Sequence, residues 1–185
     1  MKKMLLIIDP QVDFINGSLP VDEAPEAMDA LAEYVKDSTD KYDAIAITAD
    51  WHPADHHSFI DNGGEWPVHC VQDTAGAMIW DALLDATKAS GLPVEVLHKG
   101  DRADVEEYSV FQNPRSCKRL TDLVKDLGIT DIDICGLAGD VCVLSSLRDG
   151  LMLLPDVTFH VLTAYSPSLD GGKALNEFIE AQGIG

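Results

Sequence analysis

Five short runs rich in Ile, Val, Leu and Thr recur along the chain, and a stretch with helical spacing follows each one. The runs are MLLIID (4–9), AIAIT (44–48), VEVLHK (94–99), DIDICGL (131–137) and TFHVLT (158–163). Their near-continuous apolar character suits strands covered on both faces. The helical stretches are 25–37, 77–89, 115–128, 141–152 and 172–182. In the first of these, Ala27, Met28, Leu31, Ala32 and Val35 recur on one face. Gly91 and Gly128 stand where helix C-caps belong. Strand and helix in strict alternation specify an α/β fold, a three-layer α-β-α sandwich around a doubly wound, mostly parallel sheet. No repeat or linker divides the 185 residues, so they are read as a single domain, 1–185.

Totals narrow the function classes. The formal charge is −19. Nucleic acid and anionic membranes both attract a basic footprint, so neither is an expected partner. No apolar window reaches membrane-spanning length. The amino-terminal MKKMLLIIDPQVDF has two lysines and a short apolar run, but Asp9 ends that run and no small-residue cleavage site follows. It reads as a first buried strand, and the protein as cytoplasmic. The four cysteines, Cys70, Cys117, Cys135 and Cys142, form no CxxC pair and are expected as free thiols.

In an open α/β sheet, ligands bind beyond the carboxyl ends of the strands. Asp9 follows the first strand, ADWHPADHHSF the second, HKG the third and AGDVC the fourth. A carboxylate, a His/Asp cluster, an amine and a thiol therefore share one rim. The irregular stretch from about Trp51 to Thr74 is long enough to suggest function.

Each residue has an ordinary reading beside the chemical one. Cys142 can be a buried apolar thiol, or a nucleophile whose pKa the start of a helix lowers, with backbone N–H groups nearby for an oxyanion. Asp9 can be a turn residue before Pro10, or a base raised by burial. Lys99 can be a solvated lysine, or the cation that balances a thiolate. Cys135 and Cys117 read as strand core and helix residues, and Cys70 is ambiguous. Asp50 and His52, two apart, point to one side of an extended chain, and His69 returns after the loop. One carboxylate and two imidazoles leave open positions, as a catalytic metal site requires. Four of the six histidines fall between 52 and 69. His56 or His57 can add a ligand or touch substrate, with the other solvated. Phe14 and Trp66 can pack the rim or stack on a flat heteroaromatic ring.

The series DPQVDF (9–14), DWHPADHHSF (50–59), WPVHC (66–70), KG (99–100), YSVF (108–111) and GLAGDVCV (136–143) resembles the motifs of nicotinamidases, members of the isochorismatase-like cysteine hydrolases. The match runs in order from residue 4 to about 150. The resemblance implies a six-stranded sheet, one more strand than the five runs supply. It implies that Asp9, Lys99 and Cys142 form a catalytic triad and that Ala138 and Cys142 N–H groups form an oxyanion hole after a cis Leu137–Ala138 bond. It implies a divalent metal, zinc first and iron or manganese next, on Asp50, His52 and His69, with His56 nearby. Phe14, Trp66 and Tyr108 match ring-contacting positions. The activity implied is hydrolysis of nicotinamide, and of pyrazinamide, within NAD salvage, by a homo-oligomer. Gly139 stands where the family usually has threonine, and TAYSPSLDGG (163–172) departs from its usual acidic, alanine-rich segment. Another amidohydrolase of the family and a non-catalytic metal-binding α/β protein are the alternative readings.

Overall fold

The computed structural model describes residues 2–184. Its sheet is built from β1 (Lys3–Ile8), β2 (Ala44–Asp50), β3 (Val94–Lys99), β4 (Asp131–Gly136) and β5 (Thr158–Val161). The order is β3-β2-β1-β4-β5, and every neighbouring pair is parallel. The helices are α1 (Val12–Ile15), α2 (Ala24–Asp37), α3 (Asp81–Ala89), α4 (Pro114–Leu127), α5 (Leu144–Leu153) and α6 (Lys173–Gln182). All five strand runs read from sequence are present. The sixth strand is absent among the described residues. After β5 the chain turns through Thr163–Tyr165 and an irregular stretch containing Pro167, Gly171 and Gly172 before α6, and no β-rich run remains to pair.

Period-two alternation splits the core into two layers. Leu5 and Ile7 of β1, Ile45 and Ile47 of β2 and Cys135 of β4 meet Met28, Leu31 and Val35 of α2 and Leu83 of α3. Met4, Leu6 and Ile8, with Ile132 and Ile134, meet Leu120 and Val124 of α4 and Leu144 and Leu147 of α5. The central strands are covered on both faces as their sequences require. Edge strand β3 is not: Val94 and Val96 are exposed. Local signals set the helix ends. Pro114 begins α4 behind Asn113, whose side chain accepts the Ser116 N–H at 3.0 Å, and Gly128 ends it at φ 67°. No helix among the described residues is long and apolar enough to cross a membrane.

The chain leaves β1 toward β2 and β3 on one side, then returns to place β4 on the other. Between the ends of β1 and β4 the two halves diverge, and a crevice opens there. Gly136 ends β4 at φ 123°, and a Cβ at that position would lie 2.0 Å from the Ile8 carbonyl oxygen. Only glycine lets β4 come this close to β1 at the floor of the crevice.

Candidate active site

Asp9, Asp50 and Lys99 sit at the ends of three adjacent strands, and each is buried. The Lys99 ammonium lies 2.8 Å from Asp9 Oδ2 and 2.6 Å from Asp50 Oδ1. It also donates to the Glu107 carbonyl at 3.2 Å and to Cys142 Sγ at 3.6 Å. Asp9 Oδ1 accepts the Thr48 hydroxyl at 2.6 Å. Asp9, Asp50 and Cys142 present atoms within 4.8 Å of one another. Cys142 arrives from the opposite half, on a widened turn, Gly139–Val143, that runs into α5. The Leu137–Ala138 bond before it is cis.

Burial governs the protonation of this cluster. It raises the Asp9 carboxyl, against the pull of Lys99. It raises the Cys142 thiol well above its ordinary range; Lys99 opposes, while Asp9 adds to the rise. The direction is opposite to the lowering that a helix start alone would give. For Lys99, burial favours the neutral amine, but Asp50 and Asp9 outweigh it and hold the proton firmly. Burial likewise acts upward on Asp50, yet the Lys99 ammonium keeps it an anion.

Beside the triad stand Asp50, His52 and His69, with ligand atoms within 4.8 Å of one another. His52 Nδ1 lies 2.8 Å from the Gly100 carbonyl oxygen, and His69 Nδ1 lies 2.7 Å from that of Pro67. A carbonyl only accepts, so each Nδ1 carries a proton, and in the neutral imidazole the lone pair then sits on Nε2. His52 Nε2 is buried without a hydrogen-bond partner, 3.6 Å from Asp50 Oδ2. A buried lone pair left over beside a carboxylate is what a metal ligand looks like without its ion. Asp50 itself is fixed by Gln11, whose amide accepts the Asp50 N–H and donates to its carbonyl, both at 2.8 Å. His56 stands apart from this donor set: its nitrogens contact Ser58 Oγ at 2.7 Å and the Val105 oxygen at 3.0 Å. Its ring packs on His52 at 4.1 Å between centroids. His57 is exposed.

Both clusters reach one cleft, the first through Cys142 and the second through Asp50 and His69. Phe14, Trp66 and Tyr108 line it with Ala138 and Cys142. Trp66 Nε1 donates to the Tyr108 hydroxyl at 3.0 Å, which ties two walls together. Cys70, Cys117 and Cys135 are outside the lining, and all four thiols are free.

Residues 3–163 match the family described as Isochorismatase domain. The chain belongs to the isochorismatase family. The nicotinamidase of Escherichia coli (strain K12) is 32% identical over 169 residues, covering 82% of this chain and 77% of that relative. The crystal structure of the pyrazinamidase of Pyrococcus horikoshii in complex with zinc is 29% identical, with a TM-score of 0.84 over 100% of this chain and 97% of that one. The yeast nicotinamidase bound to the inhibitor nicotinaldehyde is 25% identical, with a TM-score of 0.86 over 98% of this chain and 97% of that one.

Several lining residues of this isochorismatase-family cleft escaped the sequence. Leu19, Val21, Glu106, Val141 and Leu169 all border it. The first three and Leu169 lie outside strands and helices, where no periodicity marks a facing side chain. Thr48 and Gln11 did carry a signal, as polar residues in or beside an apolar strand run. Gly139 now has a reason. A Cβ there would lie 2.3 Å from Ser168 Oγ and 2.4 Å from the Ser166 oxygen, so the divergent 163–172 segment packs where a side chain would stand. Asp140 clasps that segment through the N–H groups of Leu169 and Asp170, at 3.0 and 3.1 Å.

Proposed function

We infer that the chain is a nicotinamidase, hydrolysing nicotinamide to nicotinate and ammonia, and that it also accepts pyrazinamide. The observation that carries this reading is the convergence of Asp9, Lys99 and Cys142, from three separated strand ends, beside a second cluster of ligand type in one aromatic cleft. The names of the E. coli and P. horikoshii proteins support the substrate class. Asp50, His52 and His69 would hold one divalent metal. The N₂O donor set suits zinc, which the P. horikoshii structure contains, and accommodates iron or manganese. When bound, such an ion supplies a Lewis-acidic position for the ring nitrogen of the substrate.

The chain's own residues account for the rest. Cys142 is a neutral thiol at rest, so it needs a base. Asp9 takes the proton from Sγ as sulfur bonds to the carboxamide carbon. Ala138 and Cys142 would present their N–H groups to the oxyanion. Lys99 keeps its proton and balances the negative charge on the reacting atoms. As the C–N bond breaks, Asp9 returns the proton to the departing nitrogen and ammonia leaves a thioester on Cys142. Water attacks the thioester, Asp9 accepts its proton and passes it to Sγ, and nicotinate departs. Phe14, Trp66 and Tyr108 would hold the ring in place.

Ammonia release from nicotinamide, pyrazinamide and benzamide tests the reading. Benzamide offers the same amide without a ring nitrogen. A site built around that nitrogen should reject it by on the order of 10²-fold in kcat/KM. Comparable rates on all three would remove the basis for a nicotinamide-specific site.

A further inference from the structure

Glu107 has no part in the chemistry above, yet it is a carboxylate only 1% exposed. Burying an anion in a chain that already carries a charge of −19 is costly unless the contacts compensate. Two of its contacts reach residues of the active site. Oε2 accepts the Gly100 N–H at 2.7 Å and the Asn113 side-chain N–H at 2.9 Å. Its backbone oxygen accepts from the Lys99 ammonium at 3.2 Å. Oε1 makes no hydrogen bond and faces the half-exposed Arg102 guanidinium at 3.5 Å.

Gly100 is the link. It sits in the left-handed region at φ 62°, and a Cβ there would lie 2.4 Å from His52 Cε1. The residue is packed against the imidazole, and its carbonyl is the group that holds His52 Nδ1. Asn113 shares the Glu107 carboxylate and also caps α4, so the carboxylate ties the end of β3 to a rigid helix start. The Glu107 carboxylate thus holds the N–H of Gly100, and the carbonyl of that same residue, one peptide further on, is what meets His52 Nδ1.

We propose that Glu107 is a positioning residue: by holding the Gly100 N–H it anchors Gly100, which packs against His52 and offers it the carbonyl of the next peptide, and so sets the metal affinity of the Asp50–His52–His69 site. The assignment rests on the metal site proposed above. Partners behind a metal ligand typically contribute 10–100-fold to affinity. Glu107→Leu keeps the volume and removes the acceptor. Glu107→Gln keeps a neutral oxygen for Gly100 but loses the charge-assisted bond, which is roughly twice as strong as a neutral one.

Zn²⁺ affinity is measured by competition with a chromophoric chelator, and ¹⁵N shifts of the His52 ring are read on the metal-stripped protein. Glu107→Leu should weaken Zn²⁺ binding by about 10–100-fold. Glu107→Gln should fall between it and wild type. His52 should be Nδ1–H in wild type and a mixture of tautomers in Glu107→Leu. Saturating Zn²⁺ should restore most of kcat. Equal affinities in wild type and Glu107→Leu would overturn the assignment, as would Glu107→Gln binding as weakly as Glu107→Leu. Should Glu107→Leu not fold, wild-type affinity in Glu107→Gln overturns it alone. Wild-type protein that takes up no Zn²⁺ overturns it as well. Zn²⁺ affinities in the expected order without ammonia release would support Glu107 and sink the nicotinamidase reading instead.

Discussion

Replacing Lys99 with methionine should damage the fold before it damages anything else. Lys99 is fully buried and touches Asp9 at 2.8 Å and Asp50 at 2.6 Å. At an effective dielectric near 20, each contact is worth about 6 kcal/mol, less the repulsion between the two carboxylates. The variant does not lose that whole sum, because a stranded carboxylate takes up a proton instead of staying charged. The net penalty for leaving buried charge unpaired is about 3–5 kcal/mol. Its pH dependence has a definite sign. In Lys99→Met, Asp9 loses the cation that opposes its rise, so its folded-state pKa moves further above the ordinary 3.8. A raised carboxyl makes the folded state bind more protons than the unfolded one, so stability falls as pH climbs through that interval. The penalty should be largest at pH 7.5 and should shrink at pH 5. Urea denaturation of both proteins in a chelator, at the two pH values, measures it. A loss below about 1 kcal/mol at pH 7.5, the range of exposed pairs, would refute the view that the buried ion pairs stabilise the fold. A penalty independent of pH would refute the role given to Asp9.

Other outcomes follow from single contacts. Cys142→Ala should abolish ammonia release while metal content and circular dichroism stay near wild type; a variant keeping most of its rate would exclude the thioester. Cys117→Ser should leave kcat unchanged, because that thiol lies outside the cleft. Gly100→Ala should lower stability by about 1–3 kcal/mol, since its φ is left-handed and the new methyl meets His52, and a thermal melt reads the loss. Chelation should raise KM for nicotinamide, and an unchanged KM in metal-free protein would deny the metal a role in binding.

Some levels of the structure were open to sequence reading and others were not. All five strands were visible, because β1, β2 and β4 are apolar runs too short for helices and bounded by turn residues. Asp9, Asp50, Lys99 and Cys142 were findable because the rim of a parallel sheet is a topological fact, so polar residues at strand ends stand out. The protonation of Cys142 was not findable. It depends on how deeply the thiol is buried among groups 43 to 133 residues away in sequence, and its helix-start position alone suggested the opposite shift. His56 does lie beside His52, but its nitrogens are claimed by Ser58 and Val105, and nothing in a histidine count reveals the latter. The sixth strand, not found among the described residues, came from the resemblance, while the residues after 163 lack the β-rich run to form it.

The crevice between β1 and β4 exists because the strand order reverses there, not because side chains hollow it out. Its reacting groups hang from strand ends and the turn into α5, but Leu19, Val21 and Leu169 at its border belong to segments free of regular structure. The Leu169 segment is attached to Asp140 by two backbone N–H groups and closes over Gly139. What enters the cleft and what reacts in it are therefore encoded in separable stretches of chain. Selection for a bulkier ring could work on the border residues while every ion pair of Lys99 stayed as it is. A laboratory library confined to residues 19, 21 and 169 would sample that freedom directly.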